Sequence, residues 1–360
     1  MIKVLIVDDS ALVRKLLAEM LASVSGFQVE TARNGAEGLE RLHAFAPDVI
    51  TLDVNMPLMN GLACLDRIML EKPTPVIMLS SVTSQSADET LEALRLGAFD
   101  FIAKPSGALS LRVDQMRGDL VDKIRAAAIA RVRPTLRLTD RIRHRVGSTV
   151  AAKPPVAARR QEQLADIELP GVVLVGTSTG GPPALETVLC ALPASFPWPI
   201  LIAQHMPESF TGALARRLDS LSAIAVVELA GPTQIRPGTA YIARGGGDMI
   251  VSRRGGAVFA ASAPAQIGYP WHPSADRLVR SALEHIPATQ LIGVLMTGMG
   301  NDGASAMQLL HERGGRTIAE AEETAVVWGM PGELVKAGAA DWILPLPEIA
   351  RQLLKVVPCP

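Results

Sequence analysis

The stretch Gly176-Thr177-Ser178-Thr179-Gly180-Gly181 follows the apolar run Val172–Val175 and precedes a helical pattern that begins near Pro182. A serine between glycines at such a place indicates a tight turn from a strand into a helix. This turn lifts the hydroxyl of Ser178 out of the fold and places it beside backbone N–H groups at a helix N-terminus. The stretch therefore predicts an α/β fold in which one turn supplies a nucleophile and part of an oxyanion hole.

A glycine-rich phosphate-binding turn is the main alternative for this motif. No Lys-Ser or Lys-Thr pair follows the glycines, as it does in a P-loop, and the third glycine of a dinucleotide-binding fingerprint is misplaced. The motif alone leaves both interpretations open. A nucleophile needs a general base, and that base needs an orienting partner, so these must be found elsewhere in the chain.

Two further apolar runs are followed by residues that would complete a catalytic triad. Pro199–Ala203 is followed closely by His205, and Leu291–Met296 by Asp302. All three runs lack polar alternation, which is typical of buried parallel strands. Because the carboxyl ends of parallel strands share one edge of a sheet, Ser178, His205 and Asp302 are predicted to meet there as nucleophile, base and orienting carboxylate.

Each of these residues also has a structural interpretation. A lone histidine is more often structural than catalytic, and the chain has six histidines. Asp302 would serve as the N-cap of a helix predicted from Ala304 to Arg313. All three residues are predicted to lie at the same edge of the sheet, which favours a catalytic triad over three separate structural roles. The chain order Ser, His, Asp differs from the Ser, Asp, His order of α/β-hydrolases, which predicts a different scaffold with the same chemistry.

Length and composition limit the classes of protein that fit this chain. The 360 residues are 48% hydrophobic and carry a net charge of −1, which predicts two or three domains and no nucleic-acid partner. The three cysteines show no metal or disulfide spacing, which fits a reducing compartment. No signal peptide is recognised, and no apolar run reaches ~18 residues. We therefore expect a cytoplasmic protein that does not insert into a membrane, and we expect a monomer.

Residues 1 to about 125 alternate between strand and helix patterns. Five βα units of this kind favour a flavodoxin-like doubly wound fold. The predicted strands are Lys3–Val7, Gln28–Ala32, Asp48–Leu52, Pro75–Ser80 and Phe99–Ala103.

Charged and hydroxyl side chains close several of these strands. Asp8 and Asp9 follow the first strand and Asp53 the third. Converging carboxylates need a cation, and a hard oxygen site with few protein ligands suits Mg²⁺, which can orient a phosphoryl group toward one carboxylate. Ser80 and Lys104 end the fourth and fifth strands, where they would bind phosphate oxygens. The alternative is that Asp8 or Asp9 merely caps the first helix.

Residues 1–125 resemble a response-regulator receiver domain. The resemblance implies that Asp53 is phosphorylated from a histidine kinase. It also implies that Asp8 and Asp9 hold Mg²⁺ together with Asp53 and the backbone carbonyl of Asn55. The matching segments are Val7-Asp8-Asp9-Ser10, Asp53 to Gly61, Leu79-Ser80-Ser81 and Phe101 to Ser106.

The same resemblance implies which residues respond to the phosphoryl group. Ser80 and Lys104 would sense it, and Phe101 would be the aromatic residue that changes rotamer with it. Asn60 stands where many relatives carry Asp, and it is interpreted as a turn residue.

Residues 126–168 differ in composition from both flanks and are predicted to be a linker. Prolines 134, 154 and 155 interrupt the stretch, and a helix is expected to extend from the receiver over about 109–130. An anion- or nucleic-acid-binding segment is an alternative, but no aromatic residue is interleaved, so contact with an acidic partner is favoured. The basic residues are Arg131, Arg133, Arg137, Arg141, Arg143, Arg145, Lys153, Arg159 and Arg160.

Residues 169–360 predict a second, doubly wound parallel sheet with an antiparallel hairpin insertion. The hairpin is predicted at Arg253-Arg254-Gly255-Gly256, between two short strands, and a helix is expected from Ser274. Beyond the three runs at the site, the predicted strands are Ile224–Leu229, Thr239–Ala243, Asp248–Ser252, Val258–Ala261, Arg316–Ala319 and Trp342–Leu344.

A receiver joined to this domain resembles the chemotaxis protein-glutamate methylesterases, which are response regulators that also deamidate glutamine. The resemblance covers nearly the whole chain outside the linker. It implies the triad roles already given to Ser178, His205 and Asp302, with backbone N–H groups of Thr179 and Met299 at the oxyanion. The matching segments are Gly176 to Pro182, Gln204 to Pro207, Met296 to Gly303 and Trp328 to Pro331.

The resemblance implies hydrolysis of glutamyl methyl esters on chemoreceptor cytoplasmic helices, with no cofactor besides Mg²⁺ in the receiver. A serine esterase for small metabolites and an adaptor with an inactive hydrolase fold are the alternatives. The fused receiver argues against the first, and the intact triad against the second. His272 and Ala321 stand where relatives commonly carry Arg and Asp, which bears on substrate preference. Trp271 and Trp328 are either rim contacts or ordinary packing residues.

Overall fold

A computed structural model describes residues 1–81, 83–104, 110–130 and 169–358. The first half of the chain forms a five-stranded parallel sheet in the order β2-β1-β3-β4-β5. This is the flavodoxin-like order, which confirms the predicted fold class for this half. The strands are β1 (Ile2–Val7), β2 (Phe27–Ala32), β3 (Val49–Asp53), β4 (Val76–Ser80) and β5 (Asp100–Ala103).

Helices follow these strands, and polar side chains cap the first four of them, with Thr83 capping the fourth. Ser10 accepts a hydrogen bond from the backbone N–H of Val13, and Asn34 and Asn60 cap the second and third helices in the same way. The side-chain cap of α1 is therefore Ser10 and not Asp8 or Asp9. The helices are α1 (Ala11–Ala22), α2 (Gly35–Phe45), α3 (Gly61–Glu71), α4 (Ser84–Arg95) and α5 (Ser110–Ile129).

The last of these helices reaches beyond the sheet into the predicted linker. α5 includes residues 126–129, in agreement with the expected helical extension. Residues 131–168, and with them the basic and proline residues of the predicted linker, lie outside the described residues, as do Pro105 and Ser106.

The second half of the chain forms a seven-stranded sheet whose paired strands all run parallel, in the order β15-β14-β13-β6-β7-β10-β8. A separate antiparallel sheet contains the predicted hairpin of β11 and β12 together with β9. The two-residue β9 was not predicted from the sequence pattern. The strands are β6 (Val172–Thr177), β7 (Ile200–Gln204), β8 (Ala225–Glu228), β9 (Thr233–Gln234), β10 (Thr239–Ile242), β11 (Gly247–Arg254), β12 (Ala257–Pro264), β13 (Leu291–Leu295), β14 (Arg316–Glu320) and β15 (Trp342–Leu344).

Glycines close the hairpin between β11 and β12, since Gly255 and Gly256 have φ values of +55° and +87°. None of the helices in the described part of the chain has both the length and the apolarity that crossing a membrane requires. The helices of this half are α6 (Gly181–Cys190), α7 (Glu208–Leu221), α8 (Ala275–His285), α9 (Ala304–Glu312), α10 (Met330–Lys336) and α11 (Leu346–Val356), with a 3₁₀ turn at Ala288–Gln290.

Candidate active site

The central strands of the larger sheet bring the three predicted residues to one edge. β13, β6 and β7 are neighbours, and every residue of each is buried. Backbone hydrogen bonds continue just past the strand ends: Ser178 N–H donates to Thr297 O at 2.9 Å, and His205 N–H donates to Thr177 O at 3.0 Å. Ser178 and His205 are therefore fixed relative to each other by the sheet itself.

The turn that carries Ser178 is shaped by two glycines. Gly180 has a φ of +78°, and a Cβ at that position would lie 2.7 Å from Val326. A Cβ on Gly181 would lie 2.0 Å from Gln204 Oε1. The amide of Gln204 donates to the carbonyl oxygens of both Ser178 and His205 at 3.0 Å. The glycines thus let this amide tie the nucleophile turn to the histidine.

His205 and Asp302 form a close pair, with Nε2 of the imidazole 2.7 Å from Oδ2 of the carboxylate. Their side chains are only 9% and 2% exposed. Burial alone would raise the pKa of Asp302, but the hydrogen bond and charge of His205 and the N–H groups of Ala275 and Asp276 hold it below its ordinary value. The carboxylate is therefore ionised and accepts a hydrogen bond from Nε2–H, and the buried Nδ1 has no hydrogen-bond partner among the described residues.

Asp302 does not cap the helix that follows it. The N-cap residue of α9 is Gly303, which has no side chain with which to cap the helix. Instead the carboxylate lies at the start of α8, where it accepts hydrogen bonds from Ser274 Oγ at 2.9 Å, Ala275 N at 2.6 Å and Asp276 N at 3.1 Å. Asp302 therefore contacts the N-terminus of α8 and does not cap α9. This contact holds its carboxylate toward His205.

Both predicted oxyanion residues line a cleft of about 1080 Å³ that also contains Ser178 and His205. Among the described residues, Thr179 and Met299 do not donate their backbone N–H groups to any backbone carbonyl. The indole of Trp271 stacks parallel to His205, with ring centroids 5.9 Å apart and 2° between the planes. Trp271 is thus a cleft residue, whereas Trp328 donates its Nε1–H to the carbonyl oxygen of Glu320 at 2.8 Å and serves packing.

The rim residue His272 belongs to a buried charge network. Its Nδ1 lies 2.9 Å from Oδ1 of Asp248, a fully buried carboxylate. Arg277 binds the other oxygen of Asp248 at 2.6 Å. These contacts attach the segment before α8 to the start of β11, so the histidine at this position is held on the cleft wall.

The receiver forms the opposite wall of the cleft. Asp100, Phe101 and Lys104 line it together with Ser178 and His205. Asp100 accepts a hydrogen bond of 2.5 Å from the hydroxyl of Thr179, the residue after the proposed nucleophile. The sequence pattern included Asp100 in a strand without assigning it a role. A buried acidic residue inside an apolar strand is unusual, and this was the signal in the sequence that could have marked Asp100 as functional.

Two further contacts join the halves of the chain. The rings of Phe101 and Phe210 lie with their centroids 4.4 Å apart. Arg217 on α7 binds Glu92 on α4 at 3.4 Å. Burial opposes the charge of Glu92, but Arg95 and Arg217 hold its pKa below the ordinary value.

The acidic edge of the receiver has the geometry that the sequence predicts. One carboxylate oxygen from each of Asp8, Asp9 and Asp53 lies within 4.8 Å of the others. Lys104 reaches Asp8 at 2.7 Å and Asp53 at 2.9 Å. Burial raises the pKa of Asp53, and Lys104 offsets this only in part. The pKa of Lys104 is raised, because its two carboxylate partners outweigh its burial.

The predicted sensing residues contact the elements that meet the second half of the chain. Ser80 is fully buried, and its Oγ accepts a hydrogen bond from Thr90 at 2.7 Å and donates to Ser86 O at 3.3 Å, both on α4. Phe101 is the ring that contacts Phe210. Asn60, interpreted as a turn residue, caps α3.

The two halves define a class of protein, a response-regulator receiver joined to a hydrolase domain. Residues 173–353 match the model of the CheB methylesterase family, and residues 4–113 match that of the response regulator receiver domain. The chain belongs to the CheB methylesterase family. It is therefore an ester hydrolase of chemotaxis signalling with a receiver domain that implies control by phosphorylation.

Similar proteins extend over the whole chain. The protein-glutamate methylesterase/protein-glutamine glutaminase 2 of Rhodopseudomonas palustris is 57% identical, covering 99% of this chain and 98% of the relative. Enzyme 3 of the same name from Rhodospirillum rubrum is 51% identical, covering 98% and 95%. The crystal structure of the Thermotoga maritima CheB methylesterase catalytic domain is 37% identical with a TM-score of 0.51, covering 53% of this chain and 100% of that domain.

Proposed function

We propose that this enzyme removes methyl groups from glutamyl methyl esters of chemoreceptor cytoplasmic helices, and deamidates receptor glutamines, through a triad of Ser178, His205 and Asp302. The observation that carries the proposal is the His205–Asp302 hydrogen bond of 2.7 Å at the sheet edge where Ser178 stands. The printed names of the relatives support the choice of glutamate and glutamine as substrates.

The hydrogen bonds of His205 suggest which nitrogen acts as the base. Nε2 is engaged by Asp302, so Nδ1 is the nitrogen that takes the proton of Ser178. In the familiar serine-protease triad the carboxylate binds Nδ1 and Nε2 is the base. Here the two ring nitrogens of His205 have the opposite roles, with Nε2 bound to the carboxylate and Nδ1 as the base. Asp302 still fixes the tautomer and stabilises the imidazolium.

The reaction then follows the two-step course of a serine hydrolase. The oxygen of Ser178 attacks the ester carbonyl, and the N–H groups of Thr179 and Met299 stabilise the oxyanion, a contribution of roughly 3–4 kcal/mol per donor. The imidazolium of His205 returns its proton to the leaving methoxide, which departs as methanol. Water, deprotonated by the same imidazole, cleaves the acyl-enzyme to give the glutamate side chain and free Ser178. For a glutamine side chain, ammonia leaves instead.

The test is release of methanol from a methyl-labelled chemoreceptor by the purified full chain, with and without a small phosphodonor. We expect release in both conditions and a higher rate with the phosphodonor. Hydrolysis of small esters without action on the receptor would favour the metabolite esterase. Binding of the receptor without any hydrolysis would favour an inactive adaptor.

In the receiver, we propose that Asp53 accepts a phosphoryl group from a histidine kinase. Three converging carboxylates with oxygens within 4.8 Å fit a small hard cation, and Asp8, Asp9, Asp53 and the backbone carbonyl of Asn55 would hold Mg²⁺. When bound, Mg²⁺ would neutralise the charge of the incoming phosphoryl group. Lys104 already lies 2.9 Å from Asp53 and would bind the phosphoryl oxygens.

The contacts between the halves support inhibition by the unphosphorylated receiver. The receiver lines the cleft, and Asp100 binds the residue next to Ser178, so the receiver occupies one side of the approach that a receptor helix would take. Ser80 bonds to α4, and Phe101 packs on Phe210, so two of the three proposed sensing residues contact the interface elements. Phosphorylation would reshape these elements and shift the docking equilibrium. We further propose a cytoplasmic monomer with domains at 1–125 and 169–360 joined by the linker 126–168.

Removing the receiver should increase the basal activity. Residues 169–360 alone are expected to release methanol roughly 30- to 150-fold faster than the unphosphorylated full chain, which corresponds to a docking bias of ~2–3 kcal/mol. Full-length Asp53→Ala should not respond to the phosphodonor. Steady-state rates of the three proteins test this. An isolated domain no faster than the unphosphorylated chain would mean that the receiver activates by recruitment.

A single charge reversal should weaken the same docking in the full chain. Arg217→Glu places a carboxylate against Glu92, at a side chain only 25% exposed, and should raise basal methanol release about five-fold or more. Arg216→Glu is the matched control, because its pair with Asp88 is 3.8 Å long and both side chains are well exposed. Equal effects of the two reversals on basal rate would contradict a role for the Arg217–Glu92 contact.

A further inference from the structure

The N-termini of α8 and α9 lie close together, and a carboxylate from the start of each one accepts hydrogen bonds from the other. Asp302 stands just before α9 but accepts hydrogen bonds from the backbone N–H groups of Ala275 and Asp276 at the start of α8. Asp276 stands in the first turn of α8 and accepts a hydrogen bond of 2.7 Å from the N–H of Ala306 in the first turn of α9. Each helix thus receives its anionic partner from the other helix, where the partial positive charge of a helix N-terminus favours it.

Ser274 lies between these two N-termini, and its hydroxyl makes two hydrogen bonds. Its hydroxyl donates to Asp302 Oδ1 at 2.9 Å and accepts the N–H of Arg277 at 3.2 Å, which caps α8. The residue is only 1% exposed. Because no competing water reaches the hydroxyl, its bond to an ionised carboxylate is stronger than a comparable bond at the surface.

The hydroxyl holds the oxygen of Asp302 that does not contact His205. Oδ2 binds His205 and Ala275 N, and Oδ1 binds Ser274 and Asp276 N. With donors on both oxygens, the carboxylate plane has one favourable rotation. That rotation places Oδ2 in line with Nε2 of the imidazole.

We propose that Ser274 is a positioning residue of the catalytic centre, acting through Asp302 by means of this buried hydroxyl–carboxylate bond. The inference rests on the triad of the proposed function. Loss of the hydroxyl would weaken the cap of α8, and it would also leave Oδ1 of Asp302 bound only to Asp276 N, so that the carboxylate is held less firmly toward His205. The first effect concerns stability, and the second concerns catalysis.

Ser274→Gly separates these two effects, since glycine is nearly as good an N-cap as serine but has no hydroxyl. We expect kcat for methanol release to fall roughly ten- to a hundred-fold with little change in KM, as for a lost bond to a charged group. Ser274→Thr keeps the hydroxyl and should retain most of kcat. Asn34→Gly removes the side-chain cap of α2 in the receiver and serves as the matched control, with unchanged kcat.

A pH profile adds a readout that a structural cap does not change. The titratable groups that face Asp302 are His205, after β7, and Asp276, on α8. A carboxylate held less firmly toward the imidazole stabilises the imidazolium less, so the acidic limb of kcat/KM should move to lower pH in Ser274→Gly.

The outcomes that would overturn the inference are distinct. Wild-type kcat and an unmoved acidic limb in Ser274→Gly, with Asp302→Asn inactive, would show that Ser274 only caps α8. Near-normal activity of Asp302→Asn would overturn the triad and the role of Ser274 together.

Discussion

Ser178→Ala is expected to abolish methanol release while leaving phosphorylation of Asp53 intact. The hydroxyl of Ser178 is the group that forms the acyl-enzyme in the proposed mechanism, and members of a triad act as a unit. The fall in kcat should therefore be on the order of 10⁴-fold or more. The measurements are single-turnover release of labelled methanol and incorporation of phosphate from a radiolabelled phosphodonor.

A matched variant shows that the loss is specific to this hydroxyl. Ser209, on α7 just beyond His205, has a buried hydroxyl without a hydrogen-bond partner among the described residues. Ser209→Ala removes the same atom from a neighbouring position on the cleft wall and should leave kcat within about two-fold, since this hydroxyl makes no hydrogen bond to His205 or to another described residue. Methanol release by Ser178→Ala near the wild-type rate would refute its role as nucleophile.

The meeting of Ser178, His205 and Asp302 at one sheet edge could be predicted from sequence because it depends on short-range patterns. Each of the three residues follows a continuous apolar run, and such runs in an α/β chain form adjacent parallel strands. The observed order places β13, β6 and β7 side by side, as this argument requires. The acidic edge of the receiver followed from the same rule.

The partners of Asp302 could not be predicted in this way. Local sequence offers the start of α9 as the nearest set of free N–H groups, and N-cap preferences are local rules. The carboxylate instead lies at the start of α8, because the two helices meet at their N-termini in the folded domain. No spacing in the chain shows that Ser274 and Asp302 touch, since 28 residues separate them.

The contacts between the halves were equally hidden from sequence. Arg217, Glu92 and Phe210 belong to ordinary amphipathic helices, and nothing in their spacing distinguishes an interface from a solvated face. Inhibition by the receiver is proposed because a helical substrate needs an open cleft edge. The hydrogen bond from Thr179 to Asp100 gives that idea a specific contact beside the nucleophile.

Asp302→Asn should reduce kcat nearly as much as loss of the nucleophile, by about 10⁴-fold, because it changes the imidazole tautomer. The carboxylate oxygen 2.7 Å from Nε2 accepts a hydrogen bond from the imidazole, whereas an amide nitrogen at that place would donate a hydrogen bond to it. The imidazole would then carry its proton on Nδ1, the atom proposed to take the proton of Ser178. Rotating the amide to present its oxygen to His205 would instead direct its NH₂ group at the hydroxyl of Ser274 and the N–H of Asp276.

Either rotation leaves a buried donor facing another donor, so the free energy of unfolding should also fall, by about 1–3 kcal/mol. Chemical denaturation and single-turnover kinetics on the same preparation test both effects. A residue that only capped a helix would behave differently, because Asn and Asp cap almost equally well. Retained stability with a small loss of activity would therefore assign Asp302 to capping, whereas a folded but inactive variant that still accepts phosphate at Asp53 places the defect at the imidazole.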